Sequence, residues 1–477
     1  MTGQHDVVVV GTGPSATSLI SVLISRGFRP TVFESASQTD SATRRLLGEE
    51  VDSLGYKTWH GSSAMYQAHP AALLSYDKNL RVRASNYLGG FSRVWGATFH
   101  PFSEYARWPR NCIPTQQDWA VVESLVPRTA TAGMEHENGL LPQLAMNSGL
   151  RTMQENLSRR QDYKTQASTL AIDRGASSAR RCTLIGECLK GCPHDSIWWA
   201  GQQILEWERN GYITLKWDSW LHSFKELSTD VSLTLMDNHG RANTATAQRL
   251  FIAAGPLSTA AIAIRSGVSN DVTIHDCMTA FTGMFAVRRL GNPPLKHHNL
   301  SHLWIERKMG SKFLIQAYPP DSFHTERLYG RFPHVPRRLI EVINRRLFPL
   351  IAYLDGDHSG SLSAQKVGER VAIGIRSAGD RNLMLDQLSI FARHAIRSGF
   401  VIPTRASDIG PPGTGNHIGA SFPHGSGSDE LGRPVGLKRT HFVDASVLPS
   451  LEVGSITPTI MANAARIARQ TMDGHPQ

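Results

Sequence analysis

The run Gly11-Thr12-Gly13-Pro14-Ser15-Ala16 follows four consecutive valines, Val7 to Val10. Glycines placed between a strand and a helix suit one chemistry. They let backbone N–H groups at the helix N-terminus approach a pyrophosphate. Gly11 permits the tight turn and Gly13 the close approach, Pro14 and Ser15 complete the turn, and Ala16 stands where only helix–strand packing needs a small residue. Glu34 lies 23 residues after Gly11, placed to accept hydrogen bonds from a ribose 2′-OH. A glycine-containing turn with no ligand is the bland alternative, but strand, spacing and acid agree on a dinucleotide. A second group is Cys182, Cys188 and Cys192, followed by Pro193. Bacterial ferredoxin clusters use C-x2-C-x2-C-x3-C-P, and here Ile185 occupies the second cysteine position. Isoleucine cannot ligate iron, so three thiolates remain, a set suited to a cluster lacking one iron corner. Three other readings stay open: packing cysteines without metal, zinc with a fourth ligand such as His194 despite poor zinc spacing, and a disulfide, disfavoured in an unexported chain. Cys112 and Cys277 read as buried thiols.

The elements that must position these groups follow from the pattern around them. A strand from Asp6 to Val10, a helix from Ala16 to Arg26 ended by Gly27, and a strand from Pro30 to Glu34 make a first βαβ unit. Residues 41–80 are mixed and polar, with Trp59-His60-Gly61-Ser62 a loop, and residues 115–165 read as helical and irregular. Strands are expected at Tyr212–Lys216, Val231–Met236 and Arg249–Ala254, then a helix from Thr259 to Arg265. From about 275 to 405 strand-like runs alternate with a segment of helical period at Pro336–Ile343, which reads as a cap, a lid, a membrane-surface helix or a plain surface helix. A strand at His441–Val443 and a helix from Thr459 to Arg469 close the chain.

With 477 residues, 40% hydrophobic and 19% charged, the composition is that of a globular protein with a large core. No run of 18 apolar residues appears, so no membrane span is expected. The first strand begins without a basic or apolar leader, and cytoplasmic residence is the expectation. A formal charge of +10 is scattered, with pairs at Arg159-Arg160, Arg180-Arg181, Arg337-Arg338 and Arg345-Arg346. Neither a basic stripe nor a reader motif accompanies it, so no nucleic-acid partner is expected. An anionic substrate or acidic partner fits the charge better.

Motifs spread along the whole length resemble the glucose–methanol–choline type FAD-dependent oxidoreductases. Gly11 to Glu34 matches the FAD-binding opening. Gly89-Gly90-Phe91-Ser92-Arg93-Val94-Trp95-Gly96 is similar to the family's loop against pyrophosphate and flavin, and Phe251 to Leu257, with Ala254 and Gly255, to its strand and turn. The tail from His441 through Asp444-Ala445 to Ala464 is the most specific piece. The resemblance implies an α/β protein: a Rossmann-like FAD-binding domain (1–274, returning at 406–477) and a substrate domain with an antiparallel sheet (275–405). It implies oxidation of a CH–OH group on a small-molecule donor, a sugar, glycoside or polyhydroxylated metabolite, with hydride passing to flavin N5. The base it implies is His417, with His424 the rival. An imidazole suits the task because its ordinary pKa lies near neutrality. The family's second His or Asn is missing here; the matching segment carries Ser455 and Thr457. Sugar dehydrogenases of the family hold a 3Fe–4S cluster on the same C-x5-C-x3-C spacing. A cluster on Cys182, Cys188 and Cys192 would pass electrons singly to an acceptor protein, whereas its absence favours an oxidase that makes H2O2. A cluster-bearing electron-transfer subunit, or an inactive scaffold keeping FAD, is the reading from a different class.

Overall fold

A computed structural model describes residues 3–38, 74–76 and most of 80–473; residues 39–73, 130–139, 288–296 and 322–333, with isolated positions and the termini, lie outside the described residues. The loop expected at Trp59–Ser62 falls among the latter.

The four valines make the centre of a seven-stranded mixed sheet. Strand Gly3–Val10 lies between Thr31–Phe33 and Ala242–Ile252, parallel to both. A strand covered on both faces reads as a continuous apolar run, and Val7 to Val10 are all buried. Thr214–Lys216 extends the parallel part beyond Thr31–Phe33. The long strand Ala242–Ile252 divides its other edge. Ala242–Ala247 pairs antiparallel with Val231–Met236, which continues to Trp220–Glu226, while Leu250–Ile252 pairs in parallel with Thr440–Phe442. That last pairing ties the C-terminal region to the first domain. The helix Pro14–Ser25 buries Ala16, Leu19, Ile20 and Leu23 and packs along the closing helix Ile456–Asp473.

A second seven-stranded sheet is wholly antiparallel. Its order is Phe400–Val401, Thr279–Ala286, Leu347–Leu354, Phe313–Ala317, Leu303–Arg307, Tyr163–Ala167, with Asp408–Ile409 also on Thr279–Ala286. Side chains alternate between its faces. Met284, Phe348, Leu350, Phe313, Ile315 and Ile305 point one way, into a core shared with helices Ser148–Ser158 and Arg381–Ala395. Tyr353, Leu314 and Trp304 point the other way, toward Val453 of the first domain. A smaller sheet runs Ile418–Gly419, Asp271–Asp276, Ser361–Val367, Arg370–Ser377, Leu74–Tyr76.

The architecture is the expected one, a Rossmann-like α/β domain and a second domain built on an antiparallel sheet. The helix read at Pro336–Ile343 spans Arg337–Asn344, with Pro336 just before its first turn. Tyr163–Ala167, from the stretch read as helical and irregular, is a strand of the second sheet.

Candidate active site

One cavity of about 330 Å³ lies between the two large sheets. Every candidate cofactor or catalytic residue from the sequence except Ala16 and the rival His424 lines it: Gly11, Gly13, Pro14, Ser15, Glu34, Gly90, Ser92, Trp95, Gly96, Ala254, Gly255, Asp444, Ala445, His417, Ser455 and Thr457. Ala16 is buried one residue further along the helix, in the packing role its small size suggested.

The glycines divide their work. Gly11 has φ +96°, and a Cβ there would lie 2.5 Å from the Ala253 carbonyl oxygen; the turn and its neighbouring strand need glycine. Gly13 has an ordinary φ of −69°, and a Cβ there would meet nothing within 4 Å. Its missing side chain leaves open space at the N-terminus of Pro14–Ser25. Among the described residues no side chain caps that helix, and no acid lies in its first turn, so the N–H groups and dipole of its N-terminus favour an anion.

Two buried acids close this end. The Glu34 carboxylate accepts from the Thr12 hydroxyl, from the Ser35 hydroxyl at 3.1 Å and from the Ala36 N–H at 2.9 Å. Burial pushes its pKa up against those bonds. Thr12 also accepts from the Gly89 N–H at 2.9 Å, linking the two glycine-rich segments. Asp444 accepts from Gly255 N–H at 2.9 Å, Thr259 hydroxyl at 2.5 Å and Ser446 N–H at 2.9 Å. Asp444 therefore caps its own short turn at Ala445–Val447 and ties it, from a segment far along the chain, to the entry of the Pro256–Arg265 helix.

At the other end stands His417. Its ring stacks on Tyr353, centroids 5.4 Å apart at 11°. Among the described residues no group hydrogen-bonds its ring nitrogens. Part of its surface opens to the cavity, yet it lies deep enough that lost hydration pushes its pKa down to about 4. The backbone is held in place: His417 C=O accepts from Cys277 N–H at 2.9 Å, and Asp276 pairs with Ile418. The buried Asp276 carboxylate accepts from Gly413 N–H at 2.7 Å and Gly415 N–H at 3.3 Å. A Cβ at Gly415 would lie 1.8 Å from that carboxylate, so carboxylate and glycine fix the loop together.

Burial raises the Asp276 pKa from 3.8 to about 7. A carboxyl that holds its proton more tightly when folded contributes stability that is full below pH 3.8 and lost as pH rises through about 7. Thermal melts of the wild type and Asp276→Asn should therefore diverge between about pH 4 and about pH 7, the wild type losing more as pH rises. Parallel pH profiles would show that Asp276 is ionised throughout.

The rival histidine has structural work. His424 Nδ1 donates to the Asp429 carbonyl at 2.6 Å, and Nε2 accepts from Asn463 at 3.2 Å and Arg466 at 3.3 Å. It does not line the cavity. Ser455 exchanges bonds with His100: its N–H donates to the carbonyl at 2.8 Å and its Oγ accepts from the N–H at 3.2 Å. Thr457 is partly open to the cavity. The sequence reading passed over several polar wall groups, namely Arg83, Gln316, Tyr318, Tyr353 and Asn416. Tyr318 donates to Gln316 Oε1 at 2.8 Å, and Arg83 donates to Asn416. One sign was present, a glutamine interrupting the apolar run from Phe313 to Ala317.

The cysteine expectation is corrected. Among the described residues no three His, Cys, Asp or Glu side chains converge to hold a metal ion. Cys182 and Cys188 instead pack against a core that includes Ala97, Leu170, Trp198 and Leu300. Cys192 Sγ accepts from Ser196 N–H at 3.4 Å. Ile185, between Cys182 and Cys188, forms a parallel β-bridge with His297. Burial, with smaller contributions from Cys182 and Cys192, pushes the Cys188 thiol up to about 12. A metal site on Cys182, Cys188 and Cys192, as a 3Fe–4S cluster or as zinc with His194, is therefore unsupported. No disulfide joins any of the five cysteines.

Neither protein-family models nor curated proteins give a match to this chain. Among solved structures it is similar to pyridoxine 4-oxidase from Mesorbium loti, with a TM-score of 0.58 over 99% of this chain and 100% of that one. The two chains share a fold. Their sequences are 14% identical, and the likeness speaks to architecture alone. Among the described residues no helix is long and apolar enough to cross a membrane.

Proposed function

We propose that the chain is an FAD-dependent oxidoreductase of the glucose–methanol–choline type that oxidises a CH–OH group. One observation carries this reading: a histidine whose ring nitrogens no described residue hydrogen-bonds and a glycine-lined anion cradle share one cavity. The cradle fits FAD. Open space at Gly13, an uncapped helix N-terminus and a buried acid at Glu34 are what a pyrophosphate and its ribose need. Backbone of Gly11 to Ser15 would hold the pyrophosphate and Glu34 the ribose. Gly90, Ser92, Trp95, Gly96, Ala254, Gly255, Asp444 and Ala445 would hold the remainder. The flavin, when bound, supplies the acceptor for the donor's hydride.

This chain's residues supply the rest. His417 is neutral at working pH because its pKa lies near 4, so it can take the hydroxyl proton as hydride leaves the same carbon. Ser455 and Thr457 stand in the segment where the family's second polar group is expected, and the Gln316–Tyr318 pair adds a hydrogen-bonding wall. Arg83, Asn416, Gln316 and Tyr318 give several hydroxyl-recognising groups, which supports a sugar, glycoside or polyhydroxylated donor. The cysteine arrangement favours a second reading for the acceptor, direct reoxidation by O2 to give H2O2. The solved relative is itself named an oxidase. Purified yellow protein, mixed anaerobically with polyols, glycosides and sterols, should bleach with a polyhydroxylated donor and form peroxide when air is admitted. Bleaching by none of them would sink the donor class, and colourless protein that binds no added FAD would sink the cofactor assignment.

A further inference from the structure

The Arg337–Asn344 helix is amphipathic in the wrong direction for a helix that only packs on its own protein. Ile340 and Asn344 are buried and hold it down, and Asn344 Nδ2 donates to the Asp321 carbonyl at 2.6 Å. Leu339, Val342 and Ile343, at helical spacing, face solvent; Val342 is 55% exposed and Leu339 50%. Ala286 N–H donates to the Arg346 carbonyl at 2.9 Å, so the helix exit adjoins the outer half of the antiparallel sheet. There Phe285 pairs with both Leu347 and Val401. Phe285 and its neighbours Val401 (44%) and Val287 (59%) are exposed as well. Four exposed arginines, Arg337, Arg338, Arg345 and Arg346, flank the helical stripe at both ends. Among the described residues the acids nearby are Glu341, 3.5 Å from Arg337, Asp408 across the sheet from Phe281, and the buried Asp321 beside Asn344.

We propose that this surface docks the protein reversibly on an anionic lipid bilayer. Charge complementarity selects the occupant. Short apolar side chains between arginine pairs sit at the acyl boundary while the guanidiniums remain among lipid phosphates. A leaflet rich in anionic lipid supplies such a surface. The same sheet face continues inward to Ile351 and Tyr353 in the cavity wall. A membrane-held donor would reach His417 along it, a consequence that rests on the oxidoreductase reading.

The test is sedimentation of the FAD-loaded full chain with vesicles of phosphatidylcholine alone or mixed with phosphatidylglycerol, scored for protein and independent of turnover. Binding to the mixed vesicles alone, weakening with added salt, is expected. Arg345→Ala with Arg346→Ala should weaken it roughly 25-fold, taking about fivefold per basic side chain. Leu339→Ser with Val342→Ser should weaken it too, while flavin content and melting temperature stay unchanged. Equal or absent binding to both vesicle types overturns the proposal. So does binding that neither double variant alters, or binding to soluble polyanions in its place.

Discussion

Replacing His417 by asparagine is expected to leave a folded, yellow protein whose flavin is reduced roughly 10²–10⁴-fold more slowly by its donor, the usual cost of losing a general base. The expectation rests on the ring's isolation. Its backbone is fixed by Cys277 and its face by Tyr353, but no described group hydrogen-bonds its nitrogens. An asparagine can keep the packing and cannot accept the proton. Because burial lowers the pKa to about 4, the acid limb of the wild-type reduction rate should fall near that value rather than near the ordinary 6.5 of histidine. Below it the imidazole is protonated and the rate declines. Stopped-flow reduction under anaerobic conditions across pH reads both effects. Near-normal reduction by the variant would move the role to another wall group, Tyr318 first.

The second large effect separates cofactor from fold. Gly13→Val should give a folded protein with little or no flavin, because the new side chain grows into open space at a backbone angle that valine accepts. Gly11→Ala should instead damage the fold, because its φ of +96° is unfavourable and the added carbon strikes the Ala253 carbonyl. Flavin content and far-ultraviolet dichroism of the two variants should thus diverge. Full flavin occupancy in Gly13→Val would place the pyrophosphate elsewhere.

The legible parts of this chain were those governed by local rules. Four valines ending in glycine fix a buried parallel strand and its turn, and the acid at Glu34 falls where the second strand must end. Asp444 was legible as a motif, but its work was not: its carboxylate takes hydrogen bonds from Gly255 and Thr259, at the entry of a helix that begins 188 residues earlier, at Pro256. Only the pairing of Thr440–Phe442 with Leu250–Ile252 brings the two together. The cavity wall of Gln316, Tyr318 and Tyr353 depends on the register of antiparallel strands from distant segments, which no local periodicity encodes. The cysteine spacing misled for a related reason. Ligand spacing is necessary for a cluster but not sufficient, and here Cys182 and Cys188 pack against an apolar core.

The walls of the cavity come from segments scattered between Val10 and Ile460, and two of its groups, Glu34 and Asp444, are buried acids with raised pKa values. Anything that fills such a space binds the native chain and not the unfolded one. At a hundredfold excess over its dissociation constant such a molecule adds about 2.7 kcal/mol of stability. With FAD as the proposed occupant, the amount of this protein that a cell keeps would follow its supply of flavin precursor: scarcity would leave more chain open to proteases, and abundance would protect it, with no change in transcription.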